Sequence, residues 1–350
     1  MRDLDPVIDV ALRESQKKSN FEATLTGFSA PACSWQGMKP MKAIVDTLGA
    51  GFDSVKSSSF TAVAMSSALL SGEWSIFSGQ PLLSAELSLE GYLKFAHQHK
   101  SAALYDSLYV TLISIHSLRG DNSSAGSFST PSLSEDDLVK RLKSHSTPIP
   151  YAAYVLRRLW VDYTMGYHER GVRSLEKARV VITALPFSYD KMIFHACSAL
   201  LLAAVYQSAS MWTQFKFRRS IKTSLRELQR ASDGHSIVLS LLVQAEYDRV
   251  CRRHNRATAN FAKAIESSRE LRLVHLEALG EELLGRFNSQ ANIGDEAIRH
   301  LNRASELYAD WGCGAKVYQL EKQVKAVVPV QSNRKIEVTE PELAPARKAA

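Results

Sequence analysis

Three short stretches hold residue types that do chemistry in other proteins. Gly49-Ala-Gly51-Phe-Asp-Ser has the opening of a dinucleotide-binding glycine fingerprint, in which glycines let the backbone approach a pyrophosphate. The third glycine is missing and no strand pattern precedes it, so no cofactor is expected there. His168-Glu169, inside GYHERG, has the His-Glu pair of a phospho-accepting sensor-kinase site. The residues after it do not match, and a surface histidine is expected. His97 and His99 in AHQHK point to different faces of a helix, which does not assemble a two-histidine metal site. Asp162, His168 and the serines form no triad that spacing identifies. No glycine is followed by lysine, which excludes a Walker A phosphate loop, and the kinase loops HRD and DFG are absent. The expectation is a non-enzyme with no catalytic, cofactor-binding or metal-binding residue.

The elements behind these residues read as helices. Apolar residues recur at three and four almost everywhere, and strand-like alternation is nearly absent, which predicts an all-α fold. The stretch SLRGDNSSAGSFSTPSLSEDD, residues 117 to 137, has no apolar period and is expected to be a surface linker. Ser134 before Glu135, Asp136 and Asp137 fits a helix N-cap with acids in the first turn; a phosphate acceptor is the alternative. Pro148 and Pro150 open the second half. The expected organisation is N-terminal helical repeats over 1–118, the linker and a first helix over 119–149, helical repeats over 150–328, and a disordered, charged tail over 329–350.

Bulk properties narrow the setting. The chain has 350 residues, long enough for two domains or one extended array. Cys33, Cys197, Cys251 and Cys313 lie far apart without metal-ligand spacing, which predicts reduced, buried thiols in a cytosolic protein. The N-terminus has no apolar core of a signal peptide. The most apolar run, residues 196 to 212, is shorter than the ~20 residues of a bilayer span and is expected to be a buried helix. The cytoplasm is the expected compartment, with no membrane partner. The net charge of +7 concentrates in KFRRSIKTSLRELQR and DRVCRRHNR. A solvated helix face is expected there; Arg218, Arg219, Arg249, Arg252 and Arg253 are the candidates if nucleic acid is bound instead.

The second half repeats. ATANFAKAIE from Ala257 and AIRHLNRASE from Ala297 align at a 40-residue offset. Ala257, Phe261, Ala264 and Glu266 match Ala297, Leu301, Ala304 and Glu306, and Tyr247 matches Phe287. A fainter copy holds Gly171, Leu175 and Ala178. Small, large and Ala at these spacings suit the second helix of a tetratricopeptide-type hairpin, whose standard period is ~34 residues. Small positions let a neighbouring helix approach, and large ones fill the gap between hairpins. Ala297, Leu301, Ala304, Tyr308 and Trp311 form one stripe. Gly312 is placed to end that helix in the left-handed conformation. From Ala315 a short helix is expected, with Val317, Leu320 and Val324 on one side and Lys316, Gln319 and Lys322 elsewhere. It would cap the array and bury Trp311. The predicted fold is a TPR-like helical-hairpin superhelix, an α-solenoid, with a short C-terminal capping helix.

Tyr308-x-x-Trp311-Gly312-x-x-Ala315-Lys316-Val317-x-x-Leu320-Glu321 resembles the end of a helical-repeat region in very large signalling proteins. In these, a serine/threonine-kinase-like domain precedes an ATPase of the AAA type, and a GAF domain with a sensor histidine kinase often follows the repeats. Glu277-Ala278-Leu279-Gly280-Glu281-Glu282-Leu283-Leu284-Gly285-Arg286-Phe287, Ala245-Glu246 with Arg249, and Ser78-Gly79-Gln80-Pro81-Leu82 with Glu86-Leu87 resemble further parts of that region. The similarity touches residues 60 to 325 and is weaker before residue 150. The resemblance implies a non-enzymatic scaffold or regulatory module of a signal-transduction protein. Its partners would be a protein or flanking kinase and ATPase domains, and nucleic acid is not expected. A stand-alone adaptor is the alternative.

Overall fold

The computed structural model describes residues 40–121, 126–183, 188–231 and 233–335. Among these residues are fourteen α-helices and no strand. They are α1 (Met41–Val55), α2 (Thr61–Ser75), α3 (Leu82–Gln98), α4 (Ala102–Arg119), α5 (Glu135–Lys143), α6 (Ile149–Thr164) and α7 (His168–Thr183). There follow α8 (Ser188–Ala204), α9 (Met211–Arg230), α10 (Gly234–Val250), α11 (His254–Glu270), α12 (Val274–Gln290), α13 (Gly294–Trp311) and α14 (Gly314–Lys335). Neighbouring helices pack in sequence order as an all-α helical-repeat superhelix.

The 40-residue offset has a simple origin. Helices α10 to α14 begin at Gly234, His254, Val274, Gly294 and Gly314, one every 20 residues. Helices α10, α11 and α12 are each 17 residues long, nearly a turn more than a ~34-residue unit allows. The corner is the same each time. Arg252, Arg272, Asn292 and Gly312 take positive φ, from 56° to 90°. The next N–H then reaches back five residues: Arg253 to Asp248 O at 2.8 Å, Leu273 to Ser268 O at 2.8 Å, Ile293 to Asn288 O at 2.9 Å and Cys313 to Tyr308 O at 2.8 Å. This is the Schellman closure, which satisfies the last carbonyls of one helix and aims the next.

First helices α6, α8, α10 and α12 stack on each other, and second helices α7, α9, α11 and α13 cover them. The repeat positions do the packing: Ala257, Phe261, Ala264, Ala297, Leu301 and Ala304 are all buried, as are Leu175 and Ala178 of the fainter copy. A Cβ on Gly285 would stand 2.9 Å from Leu301 and 3.1 Å from Ala297 O, so α12 and α13 meet almost backbone to backbone.

One buried core runs from Met41 to Leu320 and joins both halves of the chain. The turn at Gly79 (φ 82°) lies against Arg272, Leu273 and Val274, where a Cβ would come within 2.6 Å of Arg272 O. Trp311 is 1% exposed and Gly312 is left-handed, as the stripe predicts. Its indole stacks on His275 of α12 with ring centroids 5.3 Å apart. The corner beyond it meets the first half: Gly312 packs by Leu82, and the Cys313 thiol donates to Leu118 O at 3.2 Å.

Three expectations need correction. The Ser-rich stretch is buried at Gly126 and Phe128 and exposed at Pro131, Ser132 and Ser134; residues 122–125 lie outside the described residues. Phe128 is fully buried, edge-on to Tyr154 at 5.8 Å and under the Arg158 guanidinium at 4.8 Å. Ser134 does cap α5, accepting from Asp137 N–H at 3.2 Å. Helix α14 runs 22 residues to Lys335, past the expected start of the tail at 329; residues 336–350 lie outside the described residues, as does Cys33. The run 196–212 is a buried helix only as far as Ala204, and Met211 and Trp212 are exposed on α9.

Candidate interaction surface

Several polar residues of the resemblance, Glu246, Arg249, Glu282, Arg286, Tyr308 and Lys316, meet at one end of the stack. The C-terminal ends of α6, α8, α10 and α12 converge on a cavity of about 120 Å³ lined by Tyr163, His168, Glu246, Arg249, Arg286 and Phe287, among others. Arg249 forks onto Glu246 at 2.9 and 2.6 Å and also caps α8 through Ala203 O at 2.8 Å. Glu282 receives Arg286 at 2.6 Å, Lys316 at 2.7 Å and Tyr308 Oη at 3.0 Å. Lys316 continues to Thr164 O at 2.5 Å, and Gln319 reaches Met165 O at 3.3 Å. Burial would raise the Glu282 carboxyl, but Arg286, Lys316 and Tyr308 together hold it below the usual range. Lys316 and Gln319 are therefore not on a solvent face. They fasten α14 to α6 and α12, and the cations neutralise the negative ends of the stacked first helices.

His168 lines this cavity half-buried, its ring 5.6 Å from Tyr163, and burial lowers its pKa from 6.5. It is not the surface histidine expected. The side chains that line the cavity with it include Tyr163, Glu246, Arg249 and Arg286. Gly49 and Gly51 sit inside helix α1, where no phosphate loop can form. Cys197 and Cys313 are buried free thiols pushed up to about 12 by burial, which leaves them poor nucleophiles at neutral pH.

A second polar cluster is fully enclosed and had no sequence signal. Arg157 of α6 donates to Glu73 O of α2, approaches Glu73 Oε2 at 3.8 Å, and lies over the Phe77 ring at 5.2 Å. Asp190 of α8 lines the same small space. Burial, opposed by Arg157 and reinforced by Asp190, pushes Glu73 up to about 8. The three side chains pin the first half of the chain to the second.

Where the arginines stand separates the candidate basic residues. Arg249 is in its buried fork with Glu246, and Arg253 pairs with Asp248 at 3.4 Å. Arg218 and Arg219 are on the exposed face of α9. That face also holds Met211 at 86%, Trp212 at 80% and Phe215 at 57% exposure. Ser210 caps the helix, accepting from Thr213 N–H at 3.4 Å, and Ile221, Ser224, Leu225 and Leu228 anchor its other side. Three large apolar side chains are thus held out from an anchored helix, in two turns. Compared with family models and with curated proteins, the chain matches none.

Proposed function

We propose that this chain is a non-enzymatic helical-repeat scaffold, a regulatory module of a cytoplasmic signal-transduction protein of the kinase–ATPase–sensor kinase type it resembles. It holds a protein segment, from a separate partner or from a flanking domain, against α9. The observation that supports this reading is the exposure of Met211, Trp212 and Phe215 together. Exposed apolar clusters of this kind mark contact surfaces, and Trp, Met and Arg are enriched in them. Arg249 is committed to Glu246 and Arg253 to Asp248, which takes two of the five candidate arginines out of a phosphate-binding set.

The test joins the chain to the domains encoded beside it in the full-length transcript. Met211→Ser with Trp212→Ser and Phe215→Ser removes no buried contact, so the melting temperature should hold while association with those domains is lost. The purified chain should neither hydrolyse ATP nor label itself with phosphate. Retained association in the triple variant, or a turnover that survives repurification and dies with a point substitution, overturns the reading.

A further inference from the structure

We infer that the segment held by α9 is an acidic amphipathic helix, apolar at one end and rich in Glu or Asp along the rest. This rests on the scaffold reading above and names the chemistry of the partner. The exposed face of α9 is a strip rather than a patch. Met211, Phe215 and Arg219 follow one four-residue row, and Arg218, Lys222 and Arg226 the adjoining one, all exposed. From Met211 to Arg226 the strip is about 22 Å long at 1.5 Å per residue, the length of a short docked helix.

Its charge is uncompensated. The one ion pair on α9 among the described residues joins Arg230 to Glu227, at the far end. Among the described residues, Lys216, Arg218, Arg219, Lys222 and Arg226 form no ion pair with a carboxylate. The four cations of the strip, Arg218, Arg219, Lys222 and Arg226, exclude a second copy of the same face, because like charges would meet across the axis. They fit a ligand of opposite sign, whose desolvated carboxylates would gain charge-assisted hydrogen bonds from the guanidinium groups.

The neighbouring second helices restrict the width. Helix α7 exposes Glu169, Arg173, Glu176 and Lys177, and α11 exposes Lys263, Glu266, Arg269 and Glu270, so both flanks carry mixed charge and the single-sign strip is confined to α9. A wide anionic plane such as a lipid surface would meet the carboxylates of both flanks as well as the strip. A partner only one helix wide lies along α9 and avoids them. The exposed Met211, Trp212 and Phe215 then cover the apolar end of that helix, where phosphate groups would leave them wet.

Two synthetic helices of about 18 residues test this, with identical leucine positions and either Glu or Lys elsewhere. Binding is read from peptide anisotropy and, in a Trp35→Phe background, from Trp212 emission, since Trp74, Trp160 and Trp311 are buried. The Glu peptide should bind about tenfold or more tighter than the Lys peptide. Lys222→Glu with Arg226→Glu should erase or reverse that preference, and Trp212→Ser with Phe215→Ser should weaken both peptides. Equal affinity for the two peptides overturns the acidic partner and leaves the scaffold reading standing. Binding of neither peptide overturns both. Phosphatidylserine vesicles or an oligonucleotide bound in preference to the Glu peptide, or self-association through α9, also overturn both.

Discussion

Lys316 Nζ lies 2.7 Å from Glu282 Oε1, with each side chain 2% exposed. A lysine in the first turn of the last helix thus ends in the centre of the fold. Its second partner, Thr164 O, belongs to α6, and Glu282 is also held by Tyr308 of α13. Four helices meet through these two side chains, and the last helix is fixed to the array by charge as well as by apolar packing.

Lys316→Met should therefore destabilise the chain by about 3–5 kcal/mol, the range for removing one partner of a buried ion pair. Arg286 and Tyr308 remain on Glu282, which places the expected loss at the lower end. Urea unfolding measures it. A loss below about 1 kcal/mol, the scale of an exposed pair, would show that the ammonium does not reach this site.

Trp311→Ala should cost about 3–5 kcal/mol, as for other emptied aromatic sites. The loss should start locally. Hydrogen exchange should rise across residues 275 to 328 before it rises near Trp160, because the array transmits stability between neighbours. The packing of Gly312 on Leu82 extends the expected effect to α3. Unchanged exchange over these segments would count against the capping role.

Much of this was legible in the sequence, for physical reasons that can be named. Ala297, Leu301, Ala304, Tyr308 and Trp311 form a long stripe because one helix face meets one neighbour. Ser134 and Gly312 are local signals, satisfied within a few residues of themselves. Lys316 failed because periodicity assigns a lysine to solvent, and its carboxylate is on a different helix. Phe128 failed because a lone aromatic in a Ser-rich run has no period, although it finds Tyr154 and Arg158. Met211 and Trp212 failed in the opposite sense: apolar residues are read as core, and these two are held out by a cap at Ser210.

Glu73 and Arg157 give a prediction with a pH signature. Burial, against the pull of Arg157, pushes the Glu73 carboxyl up to about 8 and so favours its protonated form in the folded chain. Between its ordinary value of 4.5 and about 8 the folded state binds the extra proton, so the contribution of Glu73 to stability falls as pH rises through that window. Glu73→Gln should cost under about 1 kcal/mol near pH 5 and gain on the parent as pH rises towards about 8. Arg157→Met should cost about 3–5 kcal/mol, since it leaves Asp190 buried without its cation. A glutamine variant that loses stability with rising pH as the parent does would refute the assignment.

Acid should act through a pair of buried histidines. His235 and His275 lie edge to face with ring centroids 5.9 Å apart, and His275 is flanked by Trp160 at 6.0 Å and Trp311 at 5.3 Å. His235 Nδ1 meets Tyr189 Oη at 3.1 Å, while neither ring nitrogen of His275 has a hydrogen-bond partner among the described residues. Burial lowers His235 to about 4 against the opposing charge of Asp233. Burial, with His235 beside it, takes His275 well below 6.5. Below the ordinary 6.5 the unfolded chain binds protons that the folded chain refuses, so stability is full above that pH and declines as pH falls towards the folded values. Each histidine should contribute on the order of 1 kcal/mol per pH unit of decline. Urea unfolding from about pH 7 to about pH 5, measured in a Glu73→Gln background to remove the opposing contribution of that carboxyl, should show the decline below 6.5, and His275→Phe should reduce it by on the order of 1 kcal/mol per pH unit. A phenylalanine variant with the parent's slope would mean that the titrating groups lie elsewhere.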